Sequence, residues 1–145
     1  MSNYREPENL YWMLLRVALQ TKHGLMKIAE ANGLTVVQLQ TLCTMIPREP
    51  IPMNAISCFL VCDRSNVTGI VDRLLMQGLI VREEKPEDRR VKMISLTLKG
   101  EKLRRELLKG LSEYELPEFE CLTDDQRQEL STILSAILHD VPASS

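Results

Sequence analysis

Histidine is scarce in this chain of 145 residues: His23 and His139 are the only two, far apart and in helical contexts. Hydrolytic or transfer chemistry needs a nucleophile beside a base, paired carboxylates or a metal cluster, and none of these patterns is present. An enzyme is therefore not expected. Cysteine is also sparse, with Cys58 and Cys62 the one close pair and no second pair to complete four zinc ligands, so neither a metal site nor another cofactor is expected. Long apolar runs are missing too. The longest is the six residues Leu10 to Leu15, against the roughly 20 that a membrane helix requires. The opening Met-Ser-Asn-Tyr-Arg-Glu-Pro lacks the basic start and apolar stretch of a secretory signal. These absences point to a cytoplasmic protein with reduced thiols and no membrane partner. Strong charge of one sign is absent as well, since 18 basic and 20 acidic residues give a net charge of -2.

That near-neutral total conceals an uneven distribution. Between Arg64 and Lys109 there are 12 basic residues against 7 acidic ones, a net +5, which leaves the rest of the chain at -7. Six of the acidic side chains (Glu113, Glu115, Glu118, Glu120, Asp124 and Asp125) cluster toward the C-terminal part. A basic block within an acidic chain suggests an anionic partner approached by one face.

Six glycines and seven prolines punctuate a largely helical pattern, with no repeat and no low-complexity linker. A first helix is expected from about Pro7 to the Asn32-Gly33 stop. Leu10, Leu14, Val17, Leu25 and Ile28 form one apolar stripe on it, and Tyr11, Leu15, Leu19 and Met26 a second beside it. So wide a surface exceeds what one side of a small domain covers, and suggests a second chain. Thr35 and Gln38 have the spacing of a capping box and start a second helix, which Pro47, Pro50 and Pro52 end. A short extended piece is placed at Ile51. A short helix over about 54–61, a corner at Cys62-Asp63-Arg64 and a helix over about 65–77 closed by Gly78 make the outline of a helix-turn-helix. Two strands follow, 79–85 and 91–96, around a charged tip at 86–90. A helix from Thr97 to about Leu116 and a last helix from Thr123, whose spacing to Gln126 repeats the capping box, complete the chain.

A helix-turn-helix followed at once by a hairpin is the winged-helix order. A helix fits the major groove of B-DNA, so the outward residues of the second helix of the motif are candidate base readers. Val67, Ile70, Val71 and Leu74 take its inner face, leaving Ser65, Asn66, Thr68, Gly69, Asp72 and Arg73 outside, with Arg64 at the corner. At the hairpin, Arg89 and Arg90 project beside Asp88, and a guanidinium there suits the negative potential of a narrow minor groove. Asp88 is expected to hold an arginine extended through a bidentate pair. Lys92 and Arg73 are candidate phosphate contacts.

The stretch from Val67 to Gly100 resembles the signature of the MarR family of transcriptional regulators. The resemblance rests on Val-Thr-Gly-Ile-Val-Asp-Arg-Leu-Leu-Met-Gln-Gly-Leu-Ile-Val-Arg, then Asp88-x-Arg90, then Leu96-Thr97-x-x-Gly100. It implies a mainly α fold with a small β-hairpin: one domain over 1–145, with a winged helix-turn-helix core over about 35–98 and dimerisation helices over about 7–32 and 99–141. It further implies a homodimeric repressor or activator on a pseudo-palindromic operator, its two reading helices about 34 Å apart. Arg90 would enter the minor groove, oriented by Asp88. Family members often carry Arg where this chain has Gly69, so direct base readout is expected to be thinner here.

Such regulators commonly answer to small phenolic or lipophilic ligands, or to thiol oxidation. Tyr11, Trp12, His23 and Met26 on the first helix are the candidate effector-cleft residues. Peroxide-sensing relatives usually place a reactive cysteine near the start of that helix, and this chain has none before Cys43. Cys62 is the redox candidate, because Arg64 and a helix N-terminus lower a thiol pKa. Two alternatives stand beside the ligand-responsive regulator: a thiol-responsive one, and a winged-helix interaction protein that does not itself read DNA.

Overall fold

The computed structural model describes residues 9–60 and 64–140. Helix α1 (Leu10–Ala31) begins at Asn9, whose side chain accepts the Trp12 backbone N–H at 2.8 Å. It ends where Gly33 takes φ +67°, which lets the N–H of Leu34 return to the Ala29 carbonyl at 2.9 Å. Helix α2 (Val36–Thr44) opens with the expected capping box: Gln38 N–H donates to Thr35 Oγ1 at 3.2 Å, and Thr35 N–H donates to Gln38 Oε1 at 2.8 Å. After the prolines, β1 (Ile51–Pro52) is followed by the short α3 (Ala55–Leu60) and by α4 (Arg64–Met76). Gly78, at φ +68°, closes α4 and turns the chain into β2 (Ile80–Lys85), which pairs with β3 (Asp88–Leu96). Helix α5 (Leu98–Glu113), a 3-10 turn (Pro117–Phe119) and α6 (Asp124–Asp140) follow, α6 being preceded by reciprocal Thr123–Gln126 hydrogen bonds. No helix among the described residues is long and apolar enough to cross a membrane.

The sheet is antiparallel in the order β1-β3-β2, so the extended piece at Ile51 becomes a third strand, with Ile51 opposite Ile94. The hairpin is longer than its apolar alternation suggests. β3 begins at Asp88, three residues before the expected Val91, because a backbone ladder needs no buried face to continue. All residues from Val81 to Arg90 are exposed, while Ile80, Ile94 and Leu96 at the other end are buried. The wing thus grows from the core and ends in solvent.

The core is centred on this winged unit. Leu39, Leu42 and Met45 from α2, Ile56 from α3, Val67, Val71 and Leu74 from α4, and Leu79, Ile80, Ile94 and Leu96 from the hairpin are buried together with Leu107 of α5. The start of α5 is joined tightly to the α4–β2 corner. Thr97 Oγ1 donates to the Gly78 carbonyl at 2.7 Å, Thr97 N–H to the Leu79 carbonyl at 3.1 Å, and Lys99 Nζ to the Gln77 carbonyl at 2.7 Å. A Cβ at Gly100 would overlap the Leu79 carbonyl oxygen. This close approach is the physical content of the Leu96-Thr97-x-x-Gly100 motif: a strand end, a helix cap and a residue without a side chain. At the other end of α5, Tyr114 lies on Gly24 of α1, and the helix stops at Glu113, short of the expected Leu116.

Candidate nucleic-acid interface

Helix α4 presents the outer face that its sequence predicts. Val67, Val71 and Leu74 are buried and Ile70 is half-buried, while Asn66, Thr68, Gly69, Asp72 and Arg73 are exposed. Arg64 and Ser65 form its first turn, but their side chains lie outside the described residues. Nothing lies within 4 Å of the position a Cβ would take on Gly69. No internal contact requires glycine there, and the surface above it is open.

The wing differs from expectation at its tip. Lys85 pairs directly with Asp88, so the turn is Pro86-Glu87, and Asp88, Arg89 and Arg90 are the first residues of β3. The Asp88 carboxylate accepts the backbone N–H of Arg90 at 3.0 Å. It fixes the local backbone rather than forming the expected bidentate pair with a guanidinium. Lys92 pairs with Glu84 on the neighbouring strand at 2.5 Å, which offsets its charge locally. Arg82 of β2 pairs with Asp72 of α4 at 3.6 Å. Sequence reasoning missed both pairs, although a signal was present: alternation from buried Ile80 puts Arg82 and Glu84 on the same face of β2.

Between the wing root and the helices lies a cleft of about 340 Å³ lined by Met53, Asn54, Ser57, Val67, Arg90, Val91 and Lys92. It brings Arg90 and Lys92 beside the start of α4. Met53, Asn54 and Ser57 were not anticipated, because β1 and α3 reach this place only through the pairing of β1 with β3. The Met53 N–H donates to the Lys92 carbonyl at 2.8 Å and extends that pairing.

A second, apolar cleft of about 450 Å³ runs between α1, the end of α5, the 3-10 turn and α6. Leu14, Val17, Thr21, Leu25, Tyr114 and Phe119 are among its lining residues. The anticipated Tyr11, Trp12, His23 and Met26 are not: Tyr11, His23 and Met26 are exposed, and Trp12 is half-buried with its indole N–H enclosed and unpaired. The helical phase explains this, since the lining positions 14, 17, 18, 21, 24, 25 and 28 follow one stripe of α1 and the anticipated residues lie off it. Of the cysteines, Cys62 falls outside the described residues, and Cys58 and Cys121 are exposed. Burial raises the Cys43 thiol pKa, and the Arg104 charge opposes that shift only in part.

The family model described as "MarR family" matches residues 34–92, from the start of α2 into β3. The transcriptional repressor MprA of Escherichia coli K12 is 36% identical over 84 residues, which are 57% of this chain and 48% of that protein. The chain carries a MarR-family segment over residues 34–92. It spans about half the length of the curated MarR-family relative that it matches. Among solved structures, apo MarR from E. coli superposes with a TM-score of 0.80 at 22% identity, over 92% of this chain and 99% of that one. CouR from Rhodococcus jostii RHA1, bound to p-coumaroyl-CoA, superposes with a TM-score of 0.75 at 25% identity, over 94% and 96%. The likeness to apo MarR shows that the fold of the family extends beyond the matched segment to α1, α5 and α6.

Proposed function

We propose that this protein is a homodimeric, sequence-specific DNA-binding transcriptional repressor of the MarR family whose grip on its operator is modulated by a small lipophilic or phenolic ligand. The observation that carries the reading is the joint exposure of two projections from one core: the outer face of α4, with Asn66, Thr68 and Gly69, and the wing from Val81 to Arg90. Both lie in the part of the chain with net charge +5. In this reading α4 enters the major groove, Arg90 reaches the adjacent minor groove, and Arg73 and Arg89 meet phosphates. Asp88 orders the backbone that carries Arg90. Lys92, already paired with Glu84, contributes less than an unpaired lysine would.

Dimerisation is supported by the apolar side chains left outside on α1 and α6, among them Leu10, Met13, Ile133, Ile137 and Leu138. The apolar cleft between these helices suits a lipophilic ligand. Such a ligand modulates DNA binding if it favours one spacing of the two reading heads over another. The CouR complex offers a family precedent for a small-molecule ligand.

The decisive experiment is titration of a duplex selected by the parent protein from a random-sequence pool. Arg90→Ala is expected to weaken binding by about 1–3 kcal/mol while leaving the circular dichroism spectrum unchanged. Equal affinity of the two proteins would remove Arg90 from the interface.

A further inference from the structure

Asp72 is an odd residue for its place. It lies one turn beyond Thr68 and Gly69 on the outer face of α4, where a carboxylate would repel phosphates. Its partner comes from the wing: Arg82 Nη1 lies 3.6 Å from Asp72 Oδ1, with the two side chains 43% and 52% exposed. Strand geometry explains why Arg82 reaches it. Directly opposed residues of an antiparallel pair point to the same face, and Arg82 is opposite Ile94, which is fully buried. Arg82 therefore leaves β2 on the core side, two residues beyond buried Ile80, where the core ends and α4 is the next surface. The following inward residue, Glu84, meets Lys92 within the hairpin. Among the described side chains the Asp72–Arg82 pair is the outermost ion pair between the wing and α4; beyond it β2 is exposed, while Val91, Lys92 and Met93 of β3 are half-buried.

An ion pair this exposed adds little to global stability. Its leverage is larger than its energy. Arg90 lies four residues beyond Ile94, at most about 14 Å along the strand and less across the bulge that takes up residues 89–91, so a tilt of about 10° at the root moves it by up to about 2 Å. Contacts to a groove tolerate displacements of about 0.5 Å. We propose that Asp72 and Arg82 form a strut that sets the angle between reading helix and wing, so that both are positioning residues for the contact of Arg90 with DNA. The strut rests on the DNA-binding reading given above for its purpose, though not for its existence. It also masks the Asp72 charge, so one pair serves alignment and electrostatics together.

The test uses full-length Asp72→Asn, Arg82→Gln and the double variant, with two readouts. The first is amide hydrogen exchange of residues 82–92 without DNA. A strut predicts exchange faster by about threefold in either single variant, with the thermal midpoint close to that of the parent. The second is affinity for a duplex selected by the parent protein from a random pool. Each single variant is expected to bind about tenfold more weakly, and the double variant no worse than either, because the two side chains act as one unit. If Arg82 were an independent phosphate contact, the signs would separate. Arg82→Gln would weaken binding, while Asp72→Asn, relieved of a repulsive charge, would bind as tightly as the parent or more tightly, and the effects would add. That result, or unchanged wing exchange in both single variants, overturns the strut. Failure of the parent to select any duplex would overturn the DNA-binding reading instead, and the exchange measurement would still decide whether the strut exists.

Discussion

The winged body and the two helices that flank it solve the burial problem differently. Among the described residues, the buried apolar ones apart from Ala29 and Leu107 all lie between Leu34 and Leu96. Helix α6, by contrast, leaves Ile133 50%, Ile137 48% and Leu138 75% exposed, and α1 leaves Leu10 73% exposed. The first unit is complete in one chain, whereas the flanking helices present apolar surface that one chain does not cover. In the proposed dimer, a reading head held by its own core would stay rigid, and the open helical seam would be free to set the distance between two such heads. That division of labour suits a dimer in which a ligand adjusts spacing without loosening the reading surfaces.

The sharpest way to break this comparison is to alter one residue of each kind. Leu74→Ala removes a fully buried side chain from the winged core and is expected to cost about 2–5 kcal/mol in denaturant unfolding. If the proposed dimer closes on α6, Ile137→Asp there should leave the far-ultraviolet spectrum native and halve the mass seen in sedimentation at micromolar concentration. A native mass for Ile137→Asp would place the dimer seam elsewhere. A smaller effect is expected on the reading face itself. Gly69→Ala meets open space and should stabilise the helix by about 0.5–1 kcal/mol, raising the unfolding midpoint. If the DNA backbone approaches Gly69 closely, the same change weakens binding, separating a stability gain from a functional loss. The smallest effect concerns the thiols. A raised pKa leaves Cys43 with less thiolate than an ordinary cysteine at neutral pH, and more only as pH rises. Thiol reagents should therefore modify exposed Cys58 and Cys121 before Cys43, as peptide mass mapping would reveal.

Much of the fold was readable because its signals are local. The capping boxes at Thr35 and Thr123, the stops at Gly33 and Gly78, and the inner stripe Val67, Ile70, Val71 and Leu74 concern residues within about one or two helical turns of each other. The end of the hairpin was less readable, since the mostly charged run from Arg82 to Arg90 carries no apolar alternation and the ladder continues without it. Asp88 shows the limit of motif reasoning. Its spacing to Arg90 suggested a guanidinium pair, yet its carboxylate takes the nearer backbone N–H. The lining of the apolar cleft was missed for a related reason. The anticipated Tyr11 and Met26 belong to the second apolar stripe of α1 and the lining Leu14, Val17, Leu25 and Ile28 to the first, and the choice between them depends on where Tyr114 and Phe119 arrive.

By itself the sequence determined the helical blocks, the winged order and the basic segment within an acidic chain, all of them consequences of spacing, capping and charge along the chain. Only the tertiary structure decided that Arg82 meets Asp72, that Ile51 adds a third strand, and that Gly100 must lie against the Leu79 carbonyl. Each of those joins residues from separate elements, and their distances are set by how the core packs rather than by any interval in the sequence.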